Sequence, residues 1–381
     1  MKTKILIFLI YILFIFNSNL LSAENNKILK VGLLAPLSGP YSEIGNSLLN
    51  SLQLALEEID DENVTIIPKD SGYQNQEKIN SAINDLKLAG VKVVIGPVTY
   101  AEFDLVKKYN NFIFISPSNI SPEFSRNIIS IGISLESQLI ALKKFIEKKG
   151  KKNTIIMYPK NNYVELIEKK LANLDFKNIK KFKYNPNPEV LTGEIEILTN
   201  YSQRKRNLEL RKKIFEDKED DQSKKELEQL EQLYTLGGVN FDSVIIIDFG
   251  NNLKSVLTSL VYTDVSQEKV LFTTINQWFD ESIFYENTIK NLYYPSVNYK
   301  EYKRYNEKYF EKFKIYPNEI TILAYDALGL IYYAWKKKGK IDSISDFSFK
   351  NKIKGKIGTF AFREGKVIQE LNIYKTENKK F

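Results

Sequence analysis

Cysteine and histidine are both absent from the 381 residues. Without cysteine the chain has no disulfides, thiol nucleophiles or cysteine metal sites, and it lacks the lipid-bearing residue of a lipoprotein. Without histidine it lacks the commonest general base, the commonest metal ligand and the imidazole of a nucleophilic triad. No Walker loop, GxSxG elbow, zinc motif or dinucleotide fingerprint occurs either. The carboxylate pairs Asp60-Asp61 and Asp220-Asp221 sit in polar stretches, where ordinary pKa values and solvated charge are expected. Neither an enzyme, a cofactor nor a metal site follows from such a sequence. The formal net charge of +8 is scattered rather than gathered into a patch, so it is read as solvation, and no nucleic-acid partner is expected.

What is present starts with a leader. Lys2 and Lys4, the apolar run Ile5 to Phe16 and the stretch Asn17 to Ala23 have the three regions of a secretory signal peptide, with cleavage expected after Ala23. The run is short for a membrane span, although retention as an anchor is the alternative. Glu24 stands where a lipoprotein would carry its cysteine, so a secreted protein without a lipid anchor is expected. The mature length exceeds one ordinary core, and 43% hydrophobic content supports two.

The chain is organised around Lys30 to Asn46, KVGLLAPLSGPYSEIGN, which reads as strand, loop and helix. Val31 to Ala35 is an apolar run suited to a strand buried on both faces, and Pro36, Ser38, Gly39 and Pro40 break it. Leu48, Leu49, Leu52, Leu54, Ala55 and Ile59 then follow at helical spacing. Strands at Asn63 to Pro68, Val91 to Ile95 and Phe112 to Ile115 alternate with helices at Gln74 to Ala89 and Ala101 to Tyr109. That alternation argues an α/β fold with parallel βαβ units. The pattern resumes with strands at Ile128 to Ile133, Thr154 to Tyr158, Ile179 to Tyr184, Phe241 to Asp248 and Val270 to Thr274. Helices are expected at Leu135 to Lys148, Tyr163 to Leu171, Leu253 to Tyr262, Tyr299 to Phe313 and Ile320 to Lys336, and a hairpin around Arg363 to Lys366. Residues Arg204 to Gln232 differ, being charged and helix-forming with a narrow apolar stripe at Leu208, Ile214, Leu227, Leu230 and Leu233. A solvated helical excursion is expected, whose deletion leaves the cooperative melt intact.

Five segments, taken in order, carry a resemblance: PLSGPYSEIG at Pro36 to Gly45, DSG at Asp70 to Gly72, IGP at Ile95 to Pro97, ISPSNISPEF at Ile115 to Phe124 and GTFAFREGKV at Gly358 to Val367. Together they resemble the type I periplasmic binding protein superfamily of leucine/isoleucine/valine-binding proteins. The resemblance implies two lobes, each a mostly parallel sheet flanked by helices, with three hinge crossings near Gly132, Ile275 and Phe360. Residues 24–133 with 276–360 would form the first lobe, and 134–275 with 361–381 the second.

Two branches of the superfamily compete. Receptors for amino acids carry a small hydroxyl residue after the Gly96-Pro97 position and a Gly-Ala-Thr group in the fourth-strand loop, which anchor the ligand. Here Val98-Thr99-Tyr100 and Ser118-Asn119-Ile120 stand instead, and Ile120 has no side-chain donor. The penicillin-binding protein activators are more similar, through Ser118-Asn119, Thr235-Leu236-Gly237 before Phe241, the Asp248 to Gly250 loop and Leu323 to Ala327. The resemblance implies a non-catalytic regulator whose partner is a peptidoglycan synthase. The alternative is the substrate-binding component of an ABC permease for branched-chain or other amino acids. A ligand, if bound, would be a small amino-acid-like or peptide group. Its expected contacts are Ser38, Tyr41, Thr99, Ser118 and Asn119 from one lobe, with Tyr158, Asp248 and Asn276 from the other. Each has an ordinary structural use as well: Ser38, Asn119 and Asp248 suit helix caps, and Tyr41 and Tyr158 suit packing.

Overall fold

The computed structural model describes residues 28–120, 126–277, 281–285, 291–356, 358–363 and 366–378. The expected signal segment 1–23 lies outside the described residues, as does the Ser121–Phe124 end of the fourth-strand loop. Among the described residues, no helix is long and apolar enough to cross a membrane.

The first lobe begins with β1 (Leu29–Ala35), α1 (Ser42–Ile59), β2 (Val64–Asp70), α2 (Gln76–Leu88), β3 (Val93–Ile95), the short α3 (Phe103–Val106), β4 (Ile113–Ser116) and β5 (Ile128–Ser130). The strands form a parallel sheet in the order β2-β1-β3-β4-β5. Side chains alternate across a strand, so a sheet covered on both faces splits each strand between two cores. Val31, Leu33, Val93, Ile95, Ile113 and Ile115 belong to one cluster, while Leu34, Val94 and Phe114 belong to the other. Helix α2 covers the second face through Ile79, Ile83 and Leu86, and Gly90 ends it with φ +76°, a left-handed position that costs glycine little. Helix α1 covers the first face with Leu48, Leu52 and Ala55.

The chain then leaves for a second lobe, through α4 (Leu135–Lys148), β6 (Thr154–Pro159), α5 (Val164–Ala172), β7 (Ile179–Tyr184), α6 (Pro188–Leu198), α7 (Tyr201–Glu216), α8 (Asp221–Glu231), β8 (Ser243–Ile246), α9 (Gly250–Tyr262), β9 (Leu271–Thr274) and β10 (Leu292–Ser296). The same division recurs. Ile155, Met157, Val244 and Ile246 pack with α6 and α9, whereas Ile156, Tyr158 and Ile245 pack with α4 and α5. Burial at this scale stabilises by about 1.5–3 kcal/mol per large aliphatic side chain.

The return brings α10 (Tyr299–Phe313) and α11 (Ile322–Lys338) onto the first lobe, where Tyr305, Tyr309, Leu328 and Ile331 complete the cluster begun by α1. Strands β11 (Ile353–Lys354), β12 (Thr359–Arg363) and β13 (Lys366–Glu370) make a small antiparallel sheet. Finally β14 (Asn372–Lys375) joins the second lobe, antiparallel to β10, in a sheet ordered β14-β10-β9-β8-β6-β7.

Two expected crossings move. The return lies after Ser296 rather than near Ile275, because Leu292–Ser296 is a strand of the second sheet. Pro295 hid it, since proline inside a run argues against a sheet interior; here it pairs with Ile373 of the antiparallel edge strand. The last crossing lies at Leu371 rather than Phe360, because Phe360 and Val367 both belong to the first-lobe core. Gly132, near the remaining expected crossing, lies between β5 and α4. There Gln369 donates from its side chain to the Ile131 carbonyl at 2.7 Å and from its backbone to Ser137 Oγ at 3.0 Å, tying β13 across the hinge.

The charged excursion is a helical hairpin rather than one solvated helix. Leu208, Phe215 and Leu230 form a small core of their own, whereas Ile214 and Leu233 of the expected stripe are exposed. Arg204 is buried and donates to the Gly237, Thr263 and Asp264 carbonyls and to Thr235 Oγ1 at 2.7–3.0 Å. Such a guanidinium, bonded to three carbonyls and a hydroxyl, fastens the hairpin to the lobe.

Candidate functional site

Three successive strand-to-helix loops of the first lobe, after β1, β2 and β3, each carry a tyrosine: Tyr41, Tyr73 and Tyr100. Tyr73 and Gln74 both have left-handed backbone, at φ +48° and +55°. Each such residue costs about 1–2 kcal/mol, and strain of this kind gathers at ligand clamps. The buried carboxylate of Glu102, 0% exposed, accepts the Gln74 N–H at 3.1 Å and so braces the turn. The outcome is a ring pair, Tyr41 against Tyr73 at 4.0 Å between centroids.

These loops form one wall of a cavity of about 300 Å³ between the lobes, which Phe249 and Asn276 close from the other side. A second cavity of about 410 Å³ lies deeper in the second lobe, and the two share Asn119, Ile120, Gln138 and Phe249. Leu135, Leu166, Ile167, Ile247 and Ile275 give the deeper cavity an apolar wall. Glu136, from the first turn of α4, and Lys170, from the last turn of α5, stand in it as an ion pair at 3.4 Å, with side chains 18% and 17% exposed. Both helix dipoles favour these charges where they are.

The expected contacts divide on inspection. Tyr41, Thr99, Ser118, Asn119 and Asn276 line the shallower cavity, and Asn119 and Asp248 line the deeper one. Ser38 borders neither; its hydroxyl donates to Asp70 Oδ2 at 2.5 Å and accepts from Lys78 Nζ at 2.7 Å. Burial would raise the Asp70 carboxyl, but hydrogen bonds from Lys78, Ser38 and the Gly72 and Leu37 N–H groups outweigh it and hold the group well below the usual carboxylate range. Tyr158 is a core residue, packed among α4 and α5, with its hydroxyl donating to Glu168 at 3.1 Å. Burial first and Glu168 second push that phenol up to about 12.

The contacts that do reach the cleft are largely engaged. Thr99 donates its hydroxyl to Glu102 Oε2 at 3.3 Å and caps the short helical turn behind it. Ser118 Oγ accepts the Ile120 N–H at 3.1 Å and donates to the Ile120 carbonyl at 3.3 Å. Asn276 donates to the Pro295 carbonyl and Ser296 Oγ, and its N–H to Gln138 Oε1 at 2.7 Å, so it holds the hinge. Asp248, 8% exposed, accepts from Tyr184 and from the Phe249 N–H at 2.8 Å. Burial raises its carboxyl despite those bonds. Outside the cleft, Asp61 and Asp220 are not ordinary as expected. Lys336 and the Asn63 groups hold Asp61 low, and the Ser223 hydroxyl and N–H hold Asp220 low, in an ion pair and a helix cap.

Sequence reading missed Glu102, Glu136, Lys170, Tyr73 and Tyr100. The recurrence of tyrosine in three successive loops was a legible signal. The pair Glu136–Lys170 was not, being 34 residues apart on two helices with only helix-end preferences to mark them.

Residues 28–188 match a family model described as periplasmic binding protein. No curated protein sequence matches the chain. Among solved structures it is similar to the C-domain of LpoA (YraM) from Haemophilus influenzae, a regulator of PBP1A, at 13% identity and TM-score 0.58 over 92% of this chain and 98% of that one. It is similar to the branched-chain amino acid transporter substrate-binding protein LivJ from Streptococcus pneumoniae, in complex with isoleucine, at 18% identity and TM-score 0.50 over 92% and 95%. A putative branched-chain amino acid ABC transporter from Rhodospirillum rubrum is similar at 11% identity and TM-score 0.64 over 91% and 96%. At these identities the likeness establishes the fold, the two-lobed type I periplasmic-binding-protein fold read from the loops.

Proposed function

We propose that this chain, built on the type I periplasmic-binding-protein fold, is a non-catalytic envelope regulator of a peptidoglycan synthase, as LpoA is described for PBP1A. Its first lobe would comprise residues 28–133 with 297–370, and its second 134–296 with 372–378. Export by a cleaved leader at 1–23, without a lipid anchor, would deliver it to the periplasm. Ligand contacts carried forward are Tyr41, Asn119 and Asp248, with Thr99, Ser118 and Asn276 as parts of the wall.

One observation carries the choice between regulator and amino-acid receptor. The Thr99 hydroxyl, at the position where a receptor would hold an amino acid's carboxylate, is already donated to Glu102, a buried carboxylate that repels a second one nearby. Ser118 is engaged with the backbone of Ile120 in the same way. Delivery to an ABC permease, the alternative, has the transporter proteins among the structural neighbours in its favour, which speaks for the fold.

The test is direct. A purified bifunctional peptidoglycan synthase is assayed for glycan polymerisation and cross-linking with and without residues 24–381. A change in either rate that saturates with the added chain supports regulation. Unchanged rates, together with retention of a purified permease complex on the same chain, overturn it.

A further inference from the structure

We propose that the cleft takes a saccharide carrying a short charged peptide, its sugar on Tyr41, Tyr73 and Tyr100 and its peptide at Glu136 and Lys170. The inference rests on the regulator reading and names the ligand class of that same cleft.

The two cavities differ in chemistry and share part of their lining. The shallower one has no charged residue in its lining, so the carboxylate of a free zwitterion placed there would meet no counter-charge. What it offers is ring faces and amides: Tyr41 and Tyr100 are exposed, Tyr73 is half-buried beside Tyr41, and Asn119 stands at the junction. Sugar rings present a C–H face that stacks on an aromatic ring, with hydroxyl and acetamido groups at the edge for amide and phenol partners. The strained Tyr73–Gln74 turn, braced by buried Glu102, fixes one of those rings before any ligand arrives.

The deeper cavity supplies the charge. Lys170 donates to Glu136 at 3.4 Å, and an ammonium has three donors while a carboxylate has two oxygens, so each head retains capacity for a ligand group. Asp248 adds a buried carboxyl to the same wall. A peptide end bearing both an amine and a carboxylate meets both signs there, on an apolar floor. Asn119, Ile120, Gln138 and Phe249 border both cavities, so the two lie side by side and the proposed ligand would span them.

The experiment is titration calorimetry on residues 24–381 with three probes: an N-acetylated disaccharide bearing a tripeptide, the tripeptide alone and the disaccharide alone. The conjugate is expected to bind saturably, at least about tenfold tighter than either part, because the second contact becomes intramolecular. Lys170→Met should weaken the conjugate and the tripeptide by about tenfold and leave the disaccharide unchanged. Tyr73→Ala should weaken the conjugate and the disaccharide and leave the tripeptide unchanged. No saturable heat from the conjugate, with an unchanged thermal melt, overturns the proposal, as does equal loss for all probes in both variants. Stimulation of the synthase without conjugate binding would overturn this inference alone. Conjugate binding without any effect on the synthase would overturn the regulator reading alone.

Discussion

Thr99 and Ser118 in the first lobe, and Glu136 and Lys170 in the second, border the same cleft and use it differently. The first pair is turned inward, each hydroxyl bonded to a group two or three residues along its own loop. The second pair lies across two helices, and its bond at 3.4 Å is the long contact of two charges with donors and acceptors to spare. Loop hydroxyls bound within their own loop stabilise a fold and recognise little. Charges brought together by tertiary packing, four-fifths buried and beside an apolar wall, are placed for recognition. Arg204 shows the inward use at its extreme, in the second lobe, where it bonds to three carbonyls and the Thr235 hydroxyl.

If inward-turned groups hold the fold, removing the most deeply bonded should do most damage. Arg204→Ala is expected to cost about 3 kcal/mol in urea unfolding, because buried carbonyls lose their donors. A cost under about 0.5 kcal/mol would return the hairpin to the status of a detachable excursion, in line with the expectation from sequence. Gly132→Val comes next. A Cβ there meets the Ser118 carbonyl oxygen at 2.3 Å, and overpacking of this kind should cost about 1–3 kcal/mol and disturb the Ser118 loop. An unchanged melting temperature would mean that the loop is free to move.

Asp248→Asn probes the second lobe by pH. The carboxyl's folded pKa lies above its ordinary value, so the folded state favours the protonated form. The penalty is absent below the unfolded pKa and grows as pH rises through the folded one. The variant should therefore match the wild type in acid and exceed it in stability at neutral pH. A wild type that gains stability relative to the variant as pH rises would reverse the assignment. The smallest effect is expected of Thr99→Val, about 1 kcal/mol of stability and no change in affinity for the disaccharide-peptide conjugate, measured by melting and calorimetry. A tenfold fall in that affinity would place the Thr99 hydroxyl among the contacts.

The strands and helices flanking the cleft were largely legible, since both sheets are covered on two faces and their strands read as continuous apolar runs. Leu292–Ser296 was not, because Pro295 interrupts its signal, and that single strand moved a lobe boundary. The hairpin of α7 and α8 was seen as helix but not as fastened, because an arginine's burial depends on carbonyls about 30 to 60 residues away. In the cleft, loop composition pointed to Tyr41, Thr99, Ser118 and Asn119, which line the shallower cavity. It could not tell an engaged hydroxyl from an available one, since that depends on rotamers and on Glu102. Ser38 and Tyr158 took the structural uses their surroundings dictate, a brace for Asp70 and a place in the core.

The central claim is that the cleft holds no free amino acid in the manner of a transport receptor. Calorimetric titration of leucine, isoleucine and valine into residues 24–381 tests it most directly. The account expects no tight isotherm that depends on the Thr99 hydroxyl from any of the three. A saturable isotherm with a dissociation constant of about 1 μM, abolished by Thr99→Val, would contradict it.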